Sequence, residues 1–411
     1  MEQSVRGPLT DVHTVHALYG DRLRVTASRV DAFYRCEYAY FLRYGLRAKE
    51  RRRAAFDAPE TGTFLHYVLE HTLQELRGRQ NDGAGADKAD IHAIAKKWTK
   101  VYVETMLGDL EQHTARFRHL FRRLVRMLDE ILDNLVEEME RSDFTPIDFE
   151  LDFSRGGDLP PIVIDDGADG MLEMNGRVDR VDGYLQDRKL YVRVMDYKSG
   201  QKKFELSELW YGLNIQLLLY LFAIEKSGLG RYREKLAADI DRIVPGGALY
   251  IPARTAFVQA PRETDDETLD RLRRRQLRRS GLILNEPAVI EAMEHGIEKE
   301  GEFLPIGFLK NGGVSAASRT SLASMEQLGQ LSEHIRLVLK TMGRELRKGK
   351  MDARPVRRGP TETACQWCPY RAVCRFDAKL GDKPHNIAKI GAEEFWQEIN
   401  AELERGERNG R

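Results

Sequence analysis

Apolar residues recur at helical spacing through most of the first 140 positions of the chain. Residues three and four positions apart lie on one face of a helix, so this period predicts amphipathic helices. The predicted helices run over 28–43, 62–77, 90–107 and 115–141. The last of these carries a long apolar stripe, formed by Phe117, Leu120, Leu124, Leu128, Ile131, Leu135 and Met139.

The pattern changes after residue 146. Residues 147–154 and 172–198 alternate apolar and polar side chains and contain turn residues, which predicts strands with a turn at 186–188. A helix is expected over 206–226, a strand over 246–253 and mostly helices beyond, while the Gly- and Asp-rich stretch 81–87 is expected to be a surface loop. This order predicts an α/β fold with a central mixed sheet flanked by helices.

The composition narrows the class of protein. The 411 residues are 42% hydrophobic, enough for a large core in one large domain or two closely associated ones. Basic and acidic residues number 65 each, so a polyanion would have to be bound by a local basic surface. The longest apolar stretch, 217–224, is far shorter than the roughly 20 residues of a membrane span. With no signal peptide visible, we expect a cytoplasmic protein without membrane contact.

Two aspartates and a lysine on neighbouring predicted strands are candidates for catalysis. Asp196 and Lys198 stand two positions apart, so their side chains point to one face, and antiparallel pairing can bring Asp179 beside them. Paired carboxylates repel unless a cation lies between them, and Mg²⁺ favours such ligands. The lysine can position or deprotonate an attacking water and offset phosphate charge. An Asp-x-Lys is more often a solvated face, but this one ends an apolar strand, where sites are frequent.

Gln216 and Tyr220 lie four positions apart on the following predicted helix and therefore on one face. On spacing alone, core packing with a satisfied hydroxyl is the favoured interpretation of this pair. The same applies to Trp210 and Tyr211, although each of these aromatic rings can also stack on an unpaired base.

Two runs, 269–279 and 344–358, are rich in arginine and lysine. A charge run is usually a solvated helix face, which is favoured here in isolation. In a nuclease, however, such runs can also follow phosphates without reading sequence.

The chain has four cysteines, three of them in a C-x2-C-x5-C pattern and one far upstream; they are Cys36, Cys365, Cys368 and Cys374. In a cytoplasmic chain, clustered cysteines indicate metal ligation rather than disulfides. By spacing alone, zinc and an iron–sulfur cluster are equally consistent with the pattern.

The segments GRVDRVDGY, LYVRVMDYKSG and LNIQLLLYLFAI, in this order, resemble successive motifs of the RecB-type PD-(D/E)xK nucleases. The resemblance implies a restriction-endonuclease-like core with His66, from TGTFLHYVLEH, together with Asp179, Asp196 and Tyr197 as metal ligands. It also implies Lys198 as the catalytic lysine, with Gln216 and Tyr220 supporting the site and the DNA. Glu150, in DFELDF, is expected to approach the metal or a water bound to it.

The cysteine arrangement is similar to that of the iron–sulfur nucleases, including AddB-type recombination subunits. The resemblance implies a structural [4Fe–4S] cluster that joins the helical N- and C-terminal extensions. Further similarity to AddB-type subunits lies in LYGDRLRVTASRVDAFYRCEYAYFLRYGLRAKER and SGLILNEPAVIEAME, and in the stretch from SLASMEQL to CPYRAVCRFD. Glu37 departs from the proline usual after the first cysteine, which is expected to alter only the local turn.

The resemblance implies five parts: a tail or linker remnant (1–22), a helical N-terminal part (23–145), the nuclease core (146–260), a helical C-terminal part (261–380) and a tail (381–411). We expect hydrolysis of DNA, most simply as an exonuclease on a single-stranded end, with Mg²⁺ or alternatively Mn²⁺. The chain lacks G-x-x-x-x-G-K-[ST], so an AddA-type helicase subunit is expected to supply ATP hydrolysis during double-strand break repair. The alternatives are a stand-alone RecB-type exonuclease and a nuclease-inactive DNA-binding scaffold.

Overall fold

The computed structural model describes residues 7–49, 58–81, 88–166, 170–200, 203–311 and 313–408. The helices are α1 (Val12–Tyr19), α2 (Ala27–Arg35), α3 (Glu37–Tyr40), α4 (Ala58–Asn81), α5 (Lys88–Tyr102), α6 (Ala115–Glu140), α7 (Leu206–Trp210), α8 (Gln216–Ser227), α9 (Leu229–Lys235), α10 (Asp266–Leu277), α11 (Pro287–Met293), α12 (Met325–Arg347), α13 (Arg371–Cys374) and α14 (Ala392–Arg408). The strands are β1 (Arg22–Val25), β2 (Thr145–Phe153), β3 (Ile162–Asp165), β4 (Met171–Met174), β5 (Gly176–Gln186), β6 (Lys189–Lys198), β7 (Arg242–Pro252), β8 (Ser280–Leu284), β9 (Leu322–Ala323), β10 (Val356–Arg358), β11 (Glu362–Thr363) and β12 (His385–Ile387).

A six-stranded sheet in the order β2-β5-β6-β7-β8-β9 forms the centre of the fold. The strands β2, β5 and β6 are antiparallel neighbours, whereas β6 and β7 run parallel. A parallel pair needs a crossover connection, which α7, α8 and α9 provide. All of β6 except its two end residues is buried, as expected for a strand covered on both faces. The predicted α/β fold with a central mixed sheet flanked by helices is therefore confirmed.

The hairpin of β5 and β6 sets the register on which the candidate site depends. Its turn residues Asp187 and Arg188 have φ angles of 49° and 61°. Two successive positive φ angles are typical of the type I′ turn, whose twist matches that of paired strands. The predicted turn at 186–188 is confirmed, and the ladder then pairs Arg180 with Met195.

The predicted stripe on α6 is largely buried, with Leu128 and Leu135 at most 1% exposed. Leu120 is 39% exposed, contrary to the prediction. The stripe begins instead at the neighbouring Phe121, whose ring contacts Phe64 of α4 at 5.2 Å between centroids. The helices α4, α5 and α6 thus pack together.

Two predicted helices are broken in the structure. The helix expected over 28–43 divides at Cys36, whose backbone is extended (φ −172°, ψ 113°). The helix expected over 206–226 divides between α7 and α8, where Gly212 and Asn214 have φ angles of 74° and 56°. Left-handed backbone cannot continue a right-handed helix, so the chain turns at this point.

The terminal stretches 1–22 and 381–411, for which the sequence predicts tails, each contain a packed helix. Val15 of α1 is 6% exposed, and Phe395 and Ile399 of α14 are fully buried. The last third of the chain also contains more strands than predicted, including the small sheet β11-β10-β12. Beyond Asn81, the predicted loop at 81–87 lies outside the described residues. The division into five parts remains a prediction, although buried side chains from Leu23 to Ile399 form one cluster.

None of the helices in the described ranges combines the length and the apolar character that crossing a membrane requires.

Candidate active site

The hairpin of β5 and β6 brings the three predicted polar residues together. Because Arg180 pairs with Met195, Asp179 lies beside Asp196 on the neighbouring strand. The Lys198 ammonium forms an ion pair with Asp196 Oδ2 on the same face. Asp196 is 4% exposed, whereas the Lys198 side chain keeps 26% of its surface accessible. The lysine thus sits at the open side of an acidic pair in which Asp196 is buried and Asp179 is half-buried.

Tyr197 contributes its backbone rather than its side chain to this cluster. Its amide N–H donates a hydrogen bond to Asp179 Oδ2 at 2.8 Å. Its carbonyl oxygen lies 3.2 Å from Nε2 of His66. The buried ring of Tyr197 lies on the opposite face of the strand, as strand alternation requires. The carbonyl oxygen is therefore the atom that Tyr197 can offer a metal ion.

A histidine and two carboxylates form a group with the spacing of metal ligands. His66 Nδ1, on α4, lies 3.4 Å from Asp179 Oδ1 and 4.0 Å from Glu150 Oε1. One ligand atom of each of these three residues lies within 4.8 Å of the others. Glu150 has a φ of 47°, while Phe149 and Leu151 on either side pair with β5. This local kink in β2 accompanies the approach of the Glu150 carboxylate to His66.

Burial and mutual repulsion shift the pKa values of these groups. Burial, followed by the charge of Asp179, raises the pKa of Asp196 to about 6. Burial, with the charges of Asp179 and Glu70, raises the pKa of Glu150 to about 7. Burial disfavours protonated His66, but the hydrogen bond and charge of Asp179 outweigh it and raise the His66 pKa to about 9. Such shifts are typical of acidic groups that are held together for a function.

The helix α8 places Gln216 and Tyr220 against the same strands. Gln216 Nε2 lies 3.4 Å from Asp196 Oδ1. Tyr220 is 3% exposed, stacks on Phe153 at 5.4 Å between centroids, and has its pKa raised to about 12 by burial. A Cβ atom on Gly176 would overlap the Tyr220 hydroxyl group. Gln216 therefore touches the acidic pair directly, whereas Tyr220 packs one turn behind it.

A buried network of charged residues, for which the sequence analysis gave no expectation, lies behind the site. Asp182 accepts hydrogen bonds from Arg180 Nε at 2.6 Å and Arg193 Nε at 2.8 Å. Glu138 of α6 accepts one from Arg279 Nη2 at 2.6 Å and lies 3.5 Å from Arg193 Nη1. All five side chains are at most 1% exposed. Arg180 and Asp182, two positions apart on a strand and so on one face, are the sequence signal that could have identified part of this network.

Most of the cationic side chains in the two basic runs form ion pairs with carboxylates. In the run 269–279, the residues in ion pairs with carboxylates are Arg273, Arg274, Arg275, Arg278 and Arg279. In the run 344–358 they are Arg347, Lys348, Lys350 and Arg358. Arg279 belongs to the buried network behind the site. The favoured interpretation of the other pairs is an ion-paired surface on which most of the positive charge is balanced locally. Trp210 stacks on His334 at 5.3 Å, and the Tyr211 hydroxyl accepts a hydrogen bond from Ala388 N, so both pack within the fold.

The four cysteines, although far apart in sequence, line a single cavity of about 420 Å³. Cys36 lies between α2 and α3, and Cys365, Cys368 and Cys374 lie in the loop that ends in α13. None of them forms a disulfide. Burial, with Cys374 and Cys368 nearby, raises the pKa of the Cys36 thiol to about 11. The cavity therefore lies between the N-terminal helices and the C-terminal part of the chain.

Comparison with known proteins gives a consistent picture. A profile described as the PD-(D/E)XK nuclease superfamily matches residues 24–375. The chain is 31% identical over 95% of its length to a subunit of the ATP-dependent helicase/deoxyribonuclease of Clostridium botulinum (strain Loch Maree / Type A3), of which it covers 33%. It is 31% identical, with the same coverage, to the corresponding protein from Thermoanaerobacter sp. (strain X514). For the one from Acetivibrio thermocellus the identity is 32%, over 91% of this chain and 32% of the relative. The chain thus spans about a third of the length of these relatives.

Proposed function

The chain belongs to the PD-(D/E)XK nuclease superfamily, and on this premise we propose that it hydrolyses phosphodiester bonds of DNA with a bound divalent cation. The proposal rests on one observation. Asp179, Asp196 and Lys198 lie close together at one end of the central hairpin, and His66 lies beside Asp179. A nuclease-inactive scaffold would have no need for a buried Asp196 held beside a second carboxylate and an accessible lysine.

The residues present fit a divalent cation. The ligand atoms that lie together are the His66 imidazole and the carboxylates of Asp179 and Glu150. Asp196 on the neighbouring strand and the Tyr197 carbonyl oxygen add further oxygen donors. Such sets suit Mg²⁺, and the imidazole also suits Mn²⁺. The cation would polarise the phosphate and lower the pKa of a bound water. Binding it would also favour the ionised forms of Asp196 and Glu150, whose pKa values are raised by burial and then by the charge of Asp179.

The remaining groups would position the reactants. Lys198 ends β6 at the open side of the site, where its ammonium can donate to a phosphate oxygen and orient the attacking water. Gln216 holds one Asp196 oxygen and thereby limits the orientations of the carboxylate. Tyr220, against Gly176 and Phe153, fixes α8 relative to the strands. We assign Lys198 a catalytic role, and Gln216 and Tyr220 positioning roles.

We further propose that the cysteine cavity holds a structural [4Fe–4S] cluster. Four thiols from distant parts of the chain line one half-open cavity. Four cysteine thiolates are the usual ligands of a [4Fe–4S] cluster. Partial burial raises the pKa of Cys36 and Cys365, and a bound metal ion would favour their ionised form. Ligation by Cys36 and the C-terminal loop closes a loop of more than 300 residues and would stabilise the fold.

The names of the relatives support a place in a helicase–nuclease complex. We propose that the chain acts as AddB-type subunits do, with an AddA-type ATPase as partner, and that it degrades a single-stranded end during repair of double-strand breaks. We also propose that the chain acts as an exonuclease and is located in the cytoplasm. Reducing conditions there would keep the four thiols out of disulfides. A stand-alone exonuclease is the alternative, and co-purification with an ATPase subunit separates the two.

Cleavage of single-stranded DNA in Mg²⁺, in Mn²⁺ and in EDTA tests the proposed metal dependence. We expect Asp179→Asn to abolish cleavage at any metal concentration. Asp187→Asn, an exposed change at the other end of the same hairpin, is the matched control and should retain full activity. Cleavage that persists in EDTA, or in Asp179→Asn, would contradict the metal site.

A further inference from the structure

A second cavity, of about 550 Å³, lies beside β1 and is lined by four arginines. We name it the arginine pocket; its arginines are Arg22, Arg24, Arg29 and Arg47. It lies among α1, β1, α2 and the π-helical turn Phe41–Gly45. The one carboxylate that lines it, Asp21, lies 2.5 Å from His16 Nε2. The lining is therefore strongly positive.

The fold presents these arginines to solvent. Along β1, Leu23 and Val25 are buried while Arg22 and Arg24 are exposed, as strand alternation requires. β1 is also an edge strand, since its sheet has the order β1-β4-β3. Arg47, exposed, has a φ of 55° at the end of the π-helical turn. The charges thus converge from two separate segments of the chain.

An aromatic ring holds the guanidinium group of Arg29, the remaining arginine of the pocket, in place without adding negative charge. Arg29 and Arg43 lie over the ring of Tyr44, at 4.8 Å and 5.4 Å from its centroid. Arg29 Nη1 also donates a hydrogen bond to the carbonyl oxygen of Arg24 at 2.8 Å. Burial raises the pKa of Tyr19 to about 12 and also raises that of Tyr40. Both phenols are therefore neutral at physiological pH.

The arginine pocket differs from the two basic runs in its charge balance. In the part of the chain that the structure describes, no carboxylate lies within 4.0 Å of Arg22, Arg29 or Arg47, and Arg24 lies 3.8 Å from Glu173. The runs at 269–279 and 344–358 are, by contrast, mostly paired. An excess of positive charge in a concave surface attracts anions and raises their local concentration.

The backbone connects the arginine pocket to the acidic cluster. β1 runs parallel to β4, and Asn175 N donates to Val25 O at 3.0 Å immediately before β5 begins. The path between the two sites follows three residues from Arg22 to Val25 and four residues from Asn175 to Asp179, each about 3.3 Å long. Crossing from one strand to the other adds about 5 Å. The two sites therefore lie within about 28 Å. At about 3.4 Å or more per nucleotide, roughly eight nucleotides or fewer span that distance.

We propose that the arginine pocket binds backbone phosphates of the single-stranded DNA whose scissile bond lies at the acidic cluster. The inference rests on the proposed function and adds to it a separate anchoring site for the substrate strand. Arg22, Arg24 and Arg47 contact phosphate oxygens, and arginine is well suited to this contact because its planar fork donates two hydrogen bonds.

The test is binding of a fluorescein-labelled 20-nucleotide oligothymidylate in EDTA, measured by anisotropy across a salt series. Each phosphate contact on a single strand contributes about 0.7 to the slope of log K against log salt. Loss of three contacts in Arg22→Ala/Arg24→Ala/Arg47→Ala should therefore reduce the slope by about 2. At 0.1 M salt the affinity should fall at least tenfold.

Three measurements separate this effect from misfolding and from general charge loss. The same three arginines changed to lysine should keep most of the slope, because the charge remains. Arg319→Ala/Arg405→Ala removes two exposed arginines outside the arginine pocket and should leave affinity unchanged. A thermal midpoint within a few degrees of the wild-type value shows that the triple-alanine variant is folded.

The outcomes distinguish this inference from the proposed function. If wild-type protein cleaves DNA and the triple-alanine variant binds with unchanged affinity and slope, the inference is wrong and the nuclease assignment stands. If affinity falls but the slope does not change, phosphate contact is likewise excluded. If binding and slope fall as expected but wild-type protein never cleaves, the arginine pocket is upheld and the nuclease assignment fails. Competition by inorganic phosphate at submillimolar concentration would instead identify a site for a free anion and overturn the inference.

Discussion

Glu138 offers a test of how the hairpin that carries the site is held in place. Its carboxylate, 1% exposed, accepts hydrogen bonds from Arg279 and lies 3.5 Å from Arg193 Nη1. The variant Glu138→Gln keeps the shape of the side chain and removes its charge. Three buried arginines would then face the single carboxylate of Asp182 behind β5 and β6.

Two considerations give similar values for the free energy of unfolding that Glu138→Gln should lose. Removing one partner of a buried charged pair typically costs about 3–5 kcal/mol, because the other charge is left uncompensated. Burial alone would raise the pKa of Glu138, but the charges of Arg279, Arg193 and Arg180 lower it from 4.5 to about 2. At about 1.36 kcal/mol per pKa unit, this shift corresponds to about 3 kcal/mol. Because the folded pKa is depressed, the contribution is present above pH 4.5 and is lost as the pH falls towards 2.

Urea denaturation at pH 7 measures the difference in free energy of unfolding. We expect Glu138→Gln to lose about 3 kcal/mol, and this deficit to narrow as the pH is lowered below 4.5. The matched control is Glu137→Gln, which removes an exposed ion pair with Lys88 and should cost at most about 1 kcal/mol. If the two variants were equally stable at pH 7, the buried network would not contribute as described.

Gly176→Ala should destabilise the fold by about 1–3 kcal/mol, because its Cβ would overlap the Tyr220 hydroxyl group, and an unchanged denaturation midpoint would refute that packing. Calorimetry should find that Mg²⁺ affinity rises between pH 6 and 9, since His66, with a pKa of about 9, must release a proton to ligate the ion. A pH-independent affinity would argue against His66 as a ligand. In protein purified without oxygen, Cys368→Ser should lose visible absorption from the proposed cluster, and retention of the full spectrum would exclude Cys368 from it.

The sequence predicts the central hairpin well because its signals are local. Alternation with period two, followed by turn residues at 186–188, places Asp179 next to Asp196 without knowledge of the rest of the fold. Only the motif resemblance identifies His66 as a site residue. The apolar pattern of α4 does not indicate that a histidine on this helix lies beside a strand. The structure shows that α4 packs so that this histidine reaches Asp179.

Other features depend on contacts between distant segments, which local patterns do not encode. The position of Glu150 beside His66 accompanies a φ of 47° in the middle of a strand, which the alternation of β2 does not reveal. The buried Arg180 and Arg193 contradict the usual rule that charged residues are exposed, and only the folded arrangement supplies their partners. Similarly, only the folded structure shows that α14 belongs to the core, because its Phe395 is fully buried there.

The most direct test of the nuclease assignment is cleavage of 5′- and 3′-labelled single-stranded DNA by anaerobically purified protein in Mg²⁺. Wild-type protein and Lys198→Ala are compared with Lys189→Ala, which removes a lysine from the opposite end of the same strand. We expect Lys198→Ala to lower the cleavage rate by about 100-fold or more, far more than it weakens DNA binding in EDTA. The reason is that it removes a group that stabilises charge in the transition state. Lys189→Ala should cleave like wild type, and the two labels will show the polarity. Equal rates for Lys198→Ala and Lys189→Ala, or no cleavage by wild-type protein with and without an ATPase partner, would contradict the assignment.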